Sequence, residues 1–222
     1  MKRAARTAIA LGAMAIGTTT GCADDGARAG VVAARHSVVA VVAQRCARPN
    51  PARGLGVMVG DGLVLTAGHT VEGDLRRLTV DDRPAEVVVV DRNLDLAVLR
   101  FPERPTPHGS ERVTLSALRP ANLVLLGEDG PHEVVVDSRE TLVIEHATDR
   151  ATYRRDVIVF TPGVEEGASG SPLVDDQGRL AGMVILNDDE TAQGVAVTAG
   201  EIAGLLDRSA GATERPAASE SC

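Results

Sequence analysis

The sequence predicts an all-β chain folded as two successive halves, and three observations predict it. Hydrophobic residues make up 44% of the 222, yet Phe101, Tyr153 and Phe160 are the sole aromatic ones, so any core must be built from Val, Leu, Ile and Ala. The apolar residues fall in short, Val-rich runs, which favour strands over helices. Turn residues punctuate those runs at regular intervals, the pattern of a sandwich or a barrel.

In the first half the runs are Ser37 to Gln44, Leu55 to Val59, Leu63 to Thr66, Leu75 to Val80, Ala85 to Asp91 and Leu94 to Arg100. Gly60-Asp61-Gly62 is a hairpin signal between the second and third. Ala67 to Val71 reads as a short turn of helix carrying His69. Pro102, Pro105 and Pro107 then cluster as a connector. The second half offers Val113 to Leu118, Asn122 to Leu126, His132 to Asp137, Thr141 to Ala147, Thr152 to Thr161, Ser171 to Asp175, Leu180 to Leu186 and Gly194 to Val197. One sizeable helix is expected, Ala199 to Asp207, with Thr198 and Glu201 placed to form a capping box. No internal repeat relates the halves.

The N-terminus reads as an export signal over residues 1–21. Lys2, Arg3 and Arg6 form a basic start, Ala8 to Ile16 an apolar middle and Thr18 to Gly21 a small polar exit. The apolar part is too short to span a bilayer. Cys22 follows Gly21 directly, which resembles the lipobox of bacterial lipoproteins, although Thr19 stands where that motif usually has Leu. Two readings stand: a lipoprotein anchored through Cys22, which we prefer, or an ordinary cleaved signal with an incidental cysteine. Residues 22–36 are small and charged and read as a linker from the anchor. Three cysteines leave one odd. If Cys22 carries lipid, Cys46 and Cys222 remain as a pair, and export permits a disulfide between them.

The formal charge is −8; without the three signal cations, 20 basic residues face 31 acidic ones, a net −11. That excess of acid excludes nucleic acid as a default partner and gives no attraction to anionic lipid headgroups. Membrane attachment would come from the lipid alone. Asp188-Asp189-Glu190 lacks the spacing of any calcium loop and reads as a solvated hairpin tip, so no metal and no cofactor are expected.

The chemistry centres on Gly167-Ala168-Ser169-Gly170-Ser171-Pro172-Leu173. A serine that attacks a carbonyl needs an exposed hydroxyl and bare backbone beside it. The flanking glycines leave amide N–H groups uncovered, and those of Gly167 and Ser169 are placed to bind a developing oxyanion. Leu65-Thr66-Ala67-Gly68-His69 ends an apolar run on a histidine, and Asn93 to Leu99 sets Asp95 within an otherwise apolar segment. A carboxylate there is costly to bury without a partner, and a histidine supplies one. Nucleophile, base and orienting carboxylate are all present. His36, His108, His132 and His146 lie in linker, loop or surface-strand contexts.

Thr-Ala-Gly-His, Asp-Leu-Ala-Val-Leu and Gly-x-Ser-Gly-x-Pro, in that order, resemble the three signatures of the trypsin-like (chymotrypsin-fold) serine proteases from about Val38 to Leu206. A narrower likeness is to the protease domain of the actinobacterial periplasmic acid-resistance serine protease. It rests on Tyr153 to Val157, Val164 to Gly167, Val197 to Ala203 and the Cys222 ending. The resemblance implies two six-stranded antiparallel β-barrels, over residues 37–107 and 108–208, with a C-terminal helix and a tail, 209–222. The active site would lie between the barrels. It further implies a His69-Asp95-Ser169 triad cleaving proteins or peptides through an acyl-enzyme. Gly163, six residues before the serine, would form the base of the specificity pocket. The stretch from Val184 to Asn187 would line it, suiting a small or apolar side chain. Ala168 replaces the Asp of the digestive members, so activation by a freed N-terminus is not expected. The chain is expected to be a monomer in the bacterial cell envelope, exported and facing the periplasm or exterior. Two other functions compete: a catalytically inactive trypsin-like lipoprotein serving as a binding module, and a structural envelope lipoprotein without a cleft.

Overall fold

The computed structural model describes residues 22–60, 62–101, 113–145, 152–188 and 190–210. The signal, the Pro connector, the hairpin tip at Asp61 and the tail with Cys222 lie outside the described residues. Cys22 is described only as the first residue of a helix.

The first half is one curled antiparallel sheet. Its strands are β1 (Val38–Arg45), β2 (Ala52–Gly60), β3 (Leu63–Ala67), β4 (Leu75–Val80), β5 (Arg83–Pro84), β6 (Glu86–Asp91) and β7 (Leu96–Arg100), in the order β5-β4-β1-β2-β3-β7-β6. Six are the expected ones; the two-residue β5 is additional. The second half closes as a six-stranded barrel. Strands β8 (Asn122–Leu126), β9 (Pro131–Glu145), β10 (Thr152–Thr161), β11 (Pro172–Val174), β12 (Leu180–Asp188) and β13 (Gln193–Thr198) join in the order β10-β13-β12-β11-β8-β9. Helices α1 (Cys22–Arg35), α2 (Gly68–Val71) and α3 (Ala199–Ser209) complete the described chain.

Several elements differ from the sequence expectation. His132 to Asp137 and Thr141 to Ala147 are not two strands but the single β9, because the polar centre Ser138-Arg139-Glu140 stays paired to β10 opposite Val159, Ile158 and Val157. Val113 to Leu118 makes one parallel bridge, Leu115 to Leu180, and no strand. Thr198 is the N-cap of α3 but makes no side-chain cap bond. Glu201 instead accepts the Asp156 N–H, at 3.2 Å, so the capping box does not form.

The expected linker 22–36 is corrected most. It is helical, and its last turns dock on the second barrel. Ala34 is buried, Val31 packs on the same core, and the Arg35 guanidinium donates to Glu128 O at 2.7 Å. The Gly30 backbone lies directly against Gln177 and Gly178, leaving no room for a Cβ on either glycine. Its alanines favour helix, and its small residues let the helix approach the barrel closely.

Each half has its own apolar cluster, and a third runs across both. That shared cluster takes Leu55, Leu65, Leu94, Leu96 and Val98 from the first half. From the second it takes Val157, Leu180, Met183 and Val197, with Ile202 and Leu205 of α3. At about 1.5–3 kcal/mol per fully buried Leu or Val, this seam holds the two halves firmly together.

Candidate active site

Strand register brings the histidine and the aspartate together. In the antiparallel pair β3–β7, Ala67 lies opposite Leu96, so the residues after β3 emerge beside those before β7. The Gly68 N–H donates to Asp95 O at 2.8 Å. A Cβ on Gly68 would stand 3.0 Å from Asp95 Oδ1, so glycine is what allows this approach. Asp95 is not within β7, as the apolar run suggests. It closes the turn before it, with φ of +56°, and its side chain is 23% exposed rather than buried. That partial exposure removes much of the cost of a lone buried carboxylate.

From this turn the carboxylate reaches α2 twice. Oδ1 accepts the His69 main-chain N–H at 2.7 Å, and Oδ2 lies 2.7 Å from His69 Nδ1. With Nδ1 donating to the carboxylate, Nε2 is left as the acceptor. It faces Ser169 Oγ at 2.9 Å. The three candidate residues therefore form one hydrogen-bonded chain, built from both halves.

Ser169 lies in the loop between β10 and β11, and the first half grips that loop. The Leu55 N–H donates to Ser169 O at 2.8 Å. Gly170, with φ of +85°, packs its α-carbon against Leu55 O, where any Cβ would collide. Within the loop, Ala168 donates to Glu165 O, Gly170 to Val184 O and Ser171 to Ala168 O. Among the described residues the Gly167 and Ser169 N–H groups have no hydrogen-bond acceptor. Such donors act where negative charge develops on an oxygen.

Gly163 and Asn187 also meet. The Asn187 amide occupies the space a Gly163 side chain would fill, and its Oδ1 accepts the Val164 N–H at 2.8 Å. Val184 does not join them: it is 1% exposed, within the second half's own core. A register shift between Val184 and Leu186 turns Leu186 outward instead, 50% exposed.

Residues 54–183, more than half of the chain, match the family model described as a trypsin-like peptidase domain. The chain belongs to the trypsin-like peptidases. Serine protease Rv3671c of Mycobacterium tuberculosis strain H37Rv is 33% identical to it over 195 residues, 79% of this chain and 47% of the relative. Serine protease MT3772 of strain CDC 1551 matches equally. The chain thus spans about half the length of these curated relatives. The crystal structure of Rv3671c protease in its active form superposes with a TM-score of 0.75 at 26% identity, covering 98% of this chain and all of that one. The HtrA-type protease AlgW with a tripeptide, at 19% identity, TM-score 0.61 and coverage of 82% and 62%, shares the fold.

Two arginines in this trypsin-like peptidase went unassigned in the sequence. Arg45, at the end of β1, donates to Glu72 O at 2.8 Å, to Thr70 O at 3.2 Å and to His69 O, closing the carbonyl end of α2. Arg155 of β10 is 5% exposed, and its guanidinium faces Leu94 O and Arg92 O. Strand parity could have flagged it, since 155 shares the inward face with Val157 and Val159. Nothing in the sequence marks Arg45.

Proposed function

We propose that this chain is a serine endopeptidase working through Ser169, His69 and Asp95. The observation that carries the proposal is the unbroken hydrogen-bonded chain from Asp95 through His69 to Ser169 Oγ. His69 Nε2 takes the hydroxyl proton as Oγ attacks a peptide carbonyl, and the same proton then goes to the leaving amine. Asp95 holds the imidazole through Nδ1 and the His69 main chain through its N–H, and stabilises the charged form of the ring. The Gly167 and Ser169 N–H groups receive the oxyanion. Water then attacks the acyl-Ser169 carbonyl as His69 accepts its proton, and His69 returns that proton to Ser169 Oγ as the Oγ–acyl bond breaks and the acid product leaves. Protein or peptide substrates with a small or apolar side chain before the cut are our reading, supported by the uncharged Gly163 and by the Asn187 amide in the space a side chain there would fill.

The location is also our reading. Export with lipid on Cys22 would place the protein on a bacterial membrane, facing the periplasm or exterior. Among the described residues no helix is long and apolar enough to cross a membrane. A mature N-terminus mapped by mass spectrometry anywhere but a diacylglyceryl-Cys22 would overturn the anchor. We also propose the Cys46–Cys222 disulfide, because with lipid on Cys22 these two are the thiols left in an exported chain.

Turnover of a peptide library tests the enzyme reading. Ser169→Ala and His69→Ala are expected to lose ~10³-fold or more, and Asp95→Asn less. Wild-type turnover in Ser169→Ala would overturn Ser169 as the nucleophile, whereas a folded wild type with no turnover would leave the binding module as the better account.

A further inference from the structure

The Asp95 turn belongs to the first half, yet much of what grips it comes from the second. Arg155 Nη1 faces Leu94 O at 3.3 Å and Nη2 faces Arg92 O at 3.4 Å. One residue along β10, the Arg154 N–H donates to Asn93 Oδ1 at 3.1 Å. Residues 92, 93 and 94 are thus each held from β10, and Asp95 follows directly in a left-handed conformation that needs outside support. Further contacts brace the turn's flanks, Arg208 of α3 to Asp91 at 2.8 Å and Arg92 to Glu72 at 2.6 Å.

Burying a guanidinium is expensive, and an apolar side chain would fill the position at lower cost. Burial indeed pulls the Arg155 guanidinium down from its ordinary value, and the charges of Asp95 and Asp91 act against that. Tyr153, on the same strand, is the other titratable group facing it. Of the two carboxylates Asp95 has the larger effect on Arg155, and Asp91 is also paired with Arg208.

We propose that Arg155 is a positioning residue. Carried by the barrel that bears Ser169, it fixes the turn that presents Asp95 to His69, so the three residues align only when the halves are docked. This rests on the reading of Ser169, His69 and Asp95 as the catalytic centre.

Arg155→Met and Arg155→Lys, compared with wild type for kcat, KM, pH–rate profile and melting, decide the matter. Rates are normalised to sites titrated with a fluorophosphonate. Arg155→Met is expected to lower kcat by about 10- to 100-fold, from misplacement of Asp95, with KM within about threefold. Without the cation, the Asp95 charge is less compensated and favours the charged imidazole, so the acid limb should lie above that of the wild type. Arg155→Lys keeps the charge but not the two-carbonyl reach; its acid limb should match wild type while kcat recovers only in part. Variants matching wild type in kcat and acid limb, with only a lower melting temperature, would reduce Arg155 to a packing strut. If Arg155→Met fails to fold, an unchanged kcat in Arg155→Lys overturns the proposal alone. A wild-type protein that neither labels nor cleaves would instead sink the protease reading beneath it.

Discussion

Gly170 combines two demands that no other amino acid type meets. Its φ of +85° is strained for any L side chain, and its α-carbon rests on the Leu55 carbonyl. Gly170→Ala is therefore expected to cost about 1–3 kcal/mol in denaturant unfolding. It should also lower kcat, because relieving the clash moves Ser169 from the 2.9 Å contact with His69. A variant as stable and active as wild type would show that the loop is not fixed by this seam. The glycine itself was legible in the Gly-x-Ser-Gly motif. Its partner was not, since Leu55 lies more than a hundred residues away and contributes a backbone carbonyl, which no side-chain pattern reports. Arg45 is hidden for the same reason: it acts on the carbonyls of α2.

Among the elements, the turn after β11 shows how one buried carboxylate organises a surface. Asp175 accepts from Ser116 Oγ at 2.6 Å, from the N–H groups of Gln177 and Arg179 at 3.0 Å each, and from Arg179 Nε at 2.8 Å. Burial alone would push its carboxyl up; the bonds from Ser116, Arg179 and Gln177 outweigh that and hold it below the usual carboxylate range. A depressed carboxyl stabilises the fold at pH values above its unfolded pKa, and that stability is lost as pH falls through the folded value. Asp175→Asn should thus cost about 2–3 kcal/mol near neutral pH, with the deficit shrinking below about pH 4. Melting curves at several pH values would measure this; a deficit constant down to pH 2 would contradict it. This turn receives α1, which explains why a segment of small and charged residues is a docked helix and not a loose linker. The sequence could not show it, because two glycines in contact leave no hydrophobic period to read. Strands Asn122–Leu126, a run of Leu and Val, and Thr152–Thr161, half of it β-branched, are bounded by turn residues and were legible to the residue.

For the molecule as a whole, the shared apolar cluster and the clamps at Leu55 and Arg155 make the site a property of the docked pair. The order His, Asp, Ser could be read from motifs, but the inter-barrel contacts depend on pairings tens of residues apart. The proposed Cys46–Cys222 bridge would add a covalent tie from β1 to the tail. Closing about 175 residues restricts the unfolded state by on the order of 4–5 kcal/mol in the chain-entropy model, with real values often lower. Cys46→Ser, or reduction of the wild type, should lower the melting temperature by several degrees. Equal melting with and without reductant would remove the bridge from the account.

The central claim is that Ser169 is an activated nucleophile, and one measurement addresses it directly. The folded protein is treated with a fluorophosphonate, and the modified peptide is identified by mass spectrometry. The account predicts one phosphonylated residue, Ser169, with labelling abolished in Ser169→Ala and strongly slowed in His69→Ala. A folded wild-type protein that remains unlabelled, or that carries the label on another serine, would contradict it.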